Sequence, residues 1–267
     1  MLDDILNSHR TGRAVVMGIL NVTPDSFSDG GEFLAPDDAV AQARRMIDDG
    51  ADVIDIGAES TRPGSDRVTA AQQIARLQDV LPAVTGAGVL VSIDTTLAEV
   101  AAFALDAGAA IVNDVSAGRD DESMFPLVAA REVPIVLMHM LGAPKTMQNH
   151  PQYGDVVQEV GEFLRERLAA AGAAGISLDR CMVDPGIGFG KMLEHNVALL
   201  AGIERLTALG CPVLIGPSRK RFIGEITGED VPARRIAGTI AACLAARRGG
   251  ASVFRVHDVA DVTAALR

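Results

Sequence analysis

Asp94, Asn113 and Asp184 each stand at or near the end of a short β-rich run, and Lys220 follows a fourth such run. An ionised carboxylate accepts two parallel N–H bonds, so Asp184 suits the amidine-like edge of a heterocycle. Asn113 can both give and take a hydrogen bond, and a lysine reaches a ring carbonyl. Such a set reads a flat, multiply substituted ring better than a sugar or a fatty chain. A second group holds cations: Arg62, Arg219, Arg221, Arg255 and His257, in a chain whose net charge is −11. Their counterpart would be a phosphate or diphosphate. Asn21, with Asp25 and Asp29 after it, offers hard oxygen ligands, which suit Mg²⁺ held by few protein groups plus phosphate oxygens.

Positioning these residues together requires a repeated element. Strand patterns fall at 15–21, 53–59, 89–95, 111–116, 135–140, 182–185, 213–218 and 253–258. Between them lie alanine-rich amphipathic stretches that predict helices from Pro36 and over 69–85, 97–107, 121–131, 154–171, 193–209, 232–247 and 260–266. Eight βα units without a change of composition predict an α/β fold, a (β/α)₈ TIM barrel over 14–267 preceded by a lead segment, 1–13. A doubly wound open sheet is the other fold with this periodicity. In a barrel the active site lies at the C-terminal strand ends, and a polar residue stands at each of them. For any one such residue a turn or cap is the plainer reading. The run from Asp184 to Lys191, with Pro185 and three alternate glycines, is by itself equally a glycine-rich turn, and its spacing is not that of a phosphate loop.

Composition sets limits. The 267 residues are 48% hydrophobic, enough for one large domain. No apolar run reaches the roughly 18 residues of a membrane helix, and Met1-Leu2-Asp3-Asp4 lacks the basic start of a signal peptide. The acidic balance argues against nucleic acid and anionic membrane as partners. Three widely spaced cysteines among apolar neighbours predict buried thiols in a reducing, cytoplasmic setting.

The run Met17-Gly18-Ile19-Leu20-Asn21-Val22-Thr23-Pro24-Asp25-Ser26-Phe27-Ser28-Asp29-Gly30-Gly31 resembles the N-terminal signature of the dihydropteroate synthase family. Asp55-Ile56-Gly57-Ala58-Glu59-Ser60-Thr61-Arg62-Pro63-Gly64 is similar to its second signature. Ser92 to Thr95, Asn113 to Val115, Leu137 to Met140, Asp184 to Lys191, Ser218 to Lys220 and Arg255 to Asp258 follow in the family's order. The resemblance implies a (β/α)₈ barrel, usually dimeric, that joins 6-hydroxymethyl-7,8-dihydropterin diphosphate to p-aminobenzoate with Mg²⁺ and releases diphosphate. It implies that Asp94, Asn113, Asp184 and Lys220 read the pterin, and that Asn21, Thr61, Arg255 and His257 hold the diphosphate, with Asn21 on the metal. Phe27, Arg62, Pro63, Phe189 and Ser218 would meet p-aminobenzoate, which sulfonamides imitate, and the loops 23–31 and 60–64 would close over it. Asp94, Lys220, Arg255 and His257 would carry the chemistry.

Some positions depart from the family's pattern or carry a plainer reading. Pro217 fixes φ before Ser218 and is expected to shift its hydroxyl; Arg221 replaces a common serine; Ala58 and Ala117 replace glycines. The final helix is short, which predicts a weak last packing layer. His139 reads as a packed strand-end residue, His150 and His195 as surface or cap, and Met46, Met138, Met140 and Met182 as core. Asp55 and Glu59 fit equally a supporting role beneath the second loop. Two other functions share part of the pattern: the methyltetrahydrofolate barrel of a corrinoid methyltransferase, and a non-catalytic pterin-binding paralogue. The first has little use for the two loops and the 218–220 run; the second should have lost Asn21, Lys220, Arg255 or His257, and all four are present.

Overall fold

The computed structural model describes residues 1–23, 36–60, 65, 67–142, 147 and 150–267. Strands form where the patterns predict them: β1 (Val15–Asn21), β2 (Val53–Gly57), β3 (Leu90–Asp94), β4 (Ile111–Asp114), β5 (Ile135–Met138), β6 (Cys181–Asp184), β7 (Leu214–Ile215) and β8 (Val253–Val256). They pair in parallel in the order β6-β5-β4-β3-β2-β1-β8-β7. The two ends of that order meet at a parallel bridge between Val183 and Val213, where the Val183 N–H donates to the Pro212 carbonyl at 3.0 Å. The sheet is therefore a closed (β/α)₈ barrel, and the open doubly wound alternative is excluded.

Side chains alternate across each strand, and that alternation builds the site. Outward residues such as Val16, Ile54, Ile93, Val112 and Phe254 pack with the helices in the main apolar core. Inward, Val53, Ile111, Val136, Met182, Leu214 and Val253 form an apolar floor. Ile5, from the short helix Leu2–Leu6, joins that floor, so the lead segment stoppers the N-terminal end of the barrel. Nearby, Ser8 Oγ donates to Ser252 Oγ at 2.9 Å. Two residues beyond the floor, the same inward rows carry Asp55, Asn113, Met138, Asp184 and Arg255. One step of strand period thus turns a sealed floor into a polar layer.

The helices differ from expectation in instructive places. The stretch 69–85 is two helices, Ala70–Leu77 and Leu81–Thr85, because Pro82 begins the second, where its missing N–H costs nothing. The stretch 193–209 divides at Gly202 into Leu193–Ala201 and Ile203–Thr207. A Cβ at Gly202 would lie 2.8 Å from Val157 Cγ1, so this close approach to a neighbouring helix admits only glycine. A helix at Arg221–Thr227 was not foreseen. The last helix, Val259–Leu266, overturns the expectation of weak final packing: Val259, Val262 and Leu266 are all buried. Arg267 then ties the end of the chain to the Gly50 carbonyl at 3.0 Å and to Asp52 at 3.1 Å.

Candidate active site

A buried ion-pair bridge stands in the polar layer. Arg255 Nε donates to Asp55 Oδ2 at 2.6 Å, and its Nη2 donates to Asp94 Oδ2, also at 2.6 Å. Asn113 Nδ2 adds a bond to the same Asp55 oxygen at 3.0 Å. Asp55 is fully buried, while Arg255 keeps a fifth of its side chain exposed towards the barrel mouth. Burial works against the Arg255 charge, yet Asp55 and Asp94 hold the guanidinium protonated and raise its pKa. Among the described residues these bonds use two of its five N–H donors, so three remain for an anion above. Burial also pushes Asp94 up to about 7, opposed by Arg255.

At the top of the barrel β1, β2 and β3 run side by side, with Asn21 opposite Gly57 and Gly57 opposite Asp94. A Cβ at Gly57 would lie 3.7 Å from Asp94 Oδ2 and 3.8 Å from Asn21 Oδ1. Both oxygens thus lie against the same glycine, with Asp94 Oδ2 already bonded to Arg255. Among the described residues no three His, Cys, Asp or Glu side chains form a metal cage. One amide oxygen beside a carboxylate, open to phosphate oxygens, fits Mg²⁺, which seldom uses an all-protein cage.

The loop after β6 forms the opposite wall. Asp184 is 6% exposed, and its Oδ1 accepts the Gly186 N–H at 2.6 Å. Gly186 has φ +66°, and a Cβ there would lie 1.9 Å from the His139 carbonyl oxygen, so the turn fits only glycine. Gly188, at φ +82°, makes room for the Lys220 stem, which a Cβ would approach to 2.7 Å. Lys220 Nζ donates to the Ile187 carbonyl at 2.6 Å and lies 3.9 Å from the centre of the Phe189 ring. That ring rests on Val115, Met138, Met140 and Met147. Burial lowers the Lys220 pKa to about 7 and raises that of Asp184. Next to this wall, Ser218 Oγ is 2.9 Å from His257 Nδ1 and accepts the His257 backbone N–H at 3.1 Å. The Ser218 hydroxyl after Pro217 thus sits on His257.

Of the residues singled out in the sequence, Asn21, Asp94, Asn113, Asp184, Phe189, Ser218, Lys220, Arg255 and His257 gather around one barrel mouth. Phe27, Thr61, Arg62, Pro63, Asp25 and Asp29 lie outside the described residues. Two of the supposed cluster of cations turn elsewhere. Arg219, at φ +58°, is clamped to Asp258, and Arg221 is 87% exposed and paired with Glu225 at 2.7 Å. Glu59 has a structural role, accepting from the Val68 N–H at 2.9 Å and from Gln73 at 3.2 Å. His139 is packed as expected, its ring edge-on to Phe163 at 4.9 Å, and His195 Nδ1 caps its helix through the Met192 N–H at 3.1 Å. Asp55 belongs to the site and not merely beneath a loop; its inward parity, shared with Val53 two residues earlier, is the signal that marks it. Lys191 has no such signal, since it lies beyond its strand.

The sequence matches the family described as "Pterin binding enzyme" over residues 17–257. The dihydropteroate synthase of Synechocystis sp. is 46% identical across 92% of this chain and 86% of that protein. Among solved structures, the Xanthomonas albilineans dihydropteroate synthase with 4-aminobenzoic acid is 48% identical, with a TM-score of 0.89 over 95% of this chain and 91% of that one. The same bacterium's enzyme in complex with 7,8-dihydropteroate superposes with a TM-score of 0.85 at 45% identity, over 95% and 91% of the two chains.

Proposed function

The chain belongs to the dihydropteroate synthases, a family of pterin binding enzymes, and from that membership we propose its reaction. It condenses 6-hydroxymethyl-7,8-dihydropterin diphosphate with p-aminobenzoate to give 7,8-dihydropteroate and diphosphate. The observation that carries this reading is the Asp94–Arg255–Asp55 bridge. It joins Asp94, among the groups that would read a heterocycle, to Arg255, among those that would hold an anion. A methyltetrahydrofolate-binding barrel would share Asp94, Asn113 and Asp184 but has no use for an anion platform beside them.

The residues divide the work. Asp184 and Asn113 take the N–H and ring-nitrogen edge of the pterin, and Lys220 reaches its carbonyl. Arg255 and His257, with Asn21 and Thr61, hold the diphosphate, and Arg255 is kept charged and aimed by the two carboxylates beneath it. The methylene C–O bond breaks, both its electrons leave with diphosphate, and positive charge spreads from the methylene carbon into the pterin. Asp94 lies at that point as a preorganised counter-charge. The arylamine nitrogen then forms the C–N bond and gives up one proton. Mg²⁺, held in part by Asn21, supplies neutralisation of the leaving diphosphate when bound. Phe189 and Ser218 would face p-aminobenzoate, a role the family resemblance also gives to Phe27, Arg62 and Pro63.

Diphosphate release on mixing the two substrates with Mg²⁺ tests the assignment; no release with p-aminobenzoate present would sink it. In the same assay kcat/KM for the pterin diphosphate should peak at pH about 7, because Asp94 gains its proton below that value and Lys220 loses its own above it. In Lys220→Met the alkaline limb should disappear while the acid limb stays. An unchanged alkaline limb would assign it to another group.

The working form is a homodimer. A groove of about 590 Å³ runs between the helices Leu193–Ala201, Arg221–Thr227 and Ile236–Arg248, lined by Leu200, Phe222, Ile223, Ala241 and Ala245. Val197, Ile226 and Leu244 on these helices are 46%, 59% and 43% exposed. Glu204 and Arg248 line the same groove with opposite charges, so a second copy related by a two-fold axis can set each against the other. Sedimentation should give the mass of two chains, and Ile226→Glu should give that of one; a wild-type monomer at micromolar concentration rules the dimer out. Cys181, Cys211 and Cys243 are buried free thiols, which supports a cytoplasmic setting. Among the described residues no helix is long and apolar enough to cross a membrane.

A further inference from the structure

We propose that Lys191 is a positioning residue for this site: a buried latch that fixes the backbone of Phe189 and, through the Phe189 ring, the seat of Lys220. The inference rests on the assignment of Phe189 and Lys220 to the substrate pocket made above. Lys191 ends the glycine run and is 3% exposed. Its Nζ donates to the Phe189 carbonyl at 3.0 Å and to His139 Nδ1 at 2.9 Å, and reaches the His139 carbonyl at 3.4 Å. All three ammonium hydrogens are thus directed at acceptors, none of them a carboxylate.

That is an expensive arrangement for a residue that only fills space. A buried ammonium is disfavoured: burial holds the Lys191 pKa well below that of an ordinary lysine, outweighing the attraction of the Asp184 charge. Burial, and then the Lys191 charge, also keep His139 neutral, with a pKa of about 2. A neutral imidazole is what allows Nδ1 to accept. What the arrangement achieves is geometric. The His139 N–H is bonded to the Asp184 carbonyl at 2.9 Å, and the His139 ring is braced by Phe163. Lys191 therefore ties the mobile-by-composition glycine loop to the rigid end of β5, at the level of Asp184. From Phe189 the chain of contact passes to Lys220 Nζ, 3.9 Å above the ring, and back to the Ile187 carbonyl in the same loop. The Tyr153 hydroxyl holds the Gly190 carbonyl at 2.8 Å, Asn196 Oδ1 accepts the Gly188 N–H at 2.6 Å, and the Phe189 N–H bonds the Gly186 carbonyl at 3.0 Å. Losing the latch therefore leaves the loop attached and frees only the Phe189 carbonyl end.

The test uses the full-length chain and steady-state kinetics with both substrates. Lys191→Met keeps the length of the side chain and removes its donors; KM for p-aminobenzoate should rise roughly tenfold or more, since small displacements of a positioning group carry large kinetic costs. Lys191→Gln, which can still donate to the Phe189 carbonyl, should recover most of that loss. In a Phe189→Leu background, Lys191→Met should add less than about threefold, because both changes then act on one contact. An unaltered KM in folded Lys191→Met, or two losses that simply multiply, would overturn the proposal. If Lys191→Met does not fold, His139→Phe reads the same latch: it keeps the ring against Phe163 and deletes Nδ1. A raised KM there supports the latch, and an unaltered one removes it. Wild-type turnover keeps the two readings apart. An inactive wild type ends the assigned reaction, whereas an active wild type with indifferent variants ends only the latch.

Discussion

Arg255→Met should cost about 3–5 kcal/mol of folding stability, the range for removing one partner of a buried ion pair. The loss comes from what remains. Asp55 is fully buried and Asp94 is 9% exposed, and both take their bonds from this one guanidinium at 2.6 Å. Without it the carboxylates of two neighbouring strands are left with only Asn113 as a donor among the described residues. Thermal unfolding should fall by roughly 10 °C, at about 2–4 °C per kcal/mol in a chain of this size. Turnover should drop by about two to three orders of magnitude, as when a preorganised charge at a leaving group is lost. Asp55→Asn placed on top of Arg255→Met should recover part of the stability, since it removes an unpaired charge, but none of the turnover. Calorimetry and diphosphate release on the same preparations separate the two effects. If Arg255→Met melts with the wild type, the bridge is not a structural element of the barrel.

That bridge also marks the limit of what the chain discloses by itself. Strand parity places Asp55, Asp94 and Arg255 on inward rows, and the two-residue step from Val53 to Asp55 or from Val253 to Arg255 is plain in the sequence. Parity gives the face of a strand but not its angle around the barrel. That Arg255 spans to residues 200 and 161 positions earlier in the chain follows only from closure, with β8 beside β1 and β1 beside β2. Spacing along the chain therefore does not pair Asp94 with Arg255. Residue type groups Arg255 with the anion-holding residues, and among the described residues three of its N–H donors are left for that role. Arg219 and Arg221 were misplaced for a local reason: the left-handed φ at Arg219 turns the chain, and neither pattern nor spacing signals that turn in a residue other than glycine. The breaks at Pro82 and Gly202 have ordinary sequence signals, a proline that starts a helix and a glycine at a close approach. Long helical periodicity on both sides hid them. The lead segment could not be placed from its own pattern, because Ile5 is explained only by a barrel floor assembled from distant strands.

Asp184→Asn should lower affinity for the pterin roughly tenfold or more while the fold persists. The argument starts from the backbone. Asp184 Oδ1 takes the Gly186 N–H at 2.6 Å, and that turn cannot shift to relieve a mismatch. Gly186 is held at φ +66° with the His139 carbonyl against it, where even a Cβ would lie at 1.9 Å. An asparagine must therefore choose. Turned one way, its oxygen keeps the Gly186 bond and its NH₂ meets the N–H edge of the heterocycle, donor against donor. Turned the other way, the NH₂ meets the Gly186 N–H instead, and the loop carries the conflict. In a pocket where Asp184 is 6% exposed, an unsatisfied buried pair costs on the order of 1–3 kcal/mol. One decade of affinity corresponds to about 1.4 kcal/mol, so a tenfold loss lies within that range. The first orientation retains every bond seen within the protein, which is why stability should hardly change and the ligand should bear the penalty. Titration calorimetry with a pterin diphosphate and Mg²⁺, alongside a melting curve, reads both quantities. Equal pterin affinity in the two proteins would take Asp184 out of the ring-reading set; a lowered melting temperature with unchanged affinity would assign it to the Gly186 turn alone.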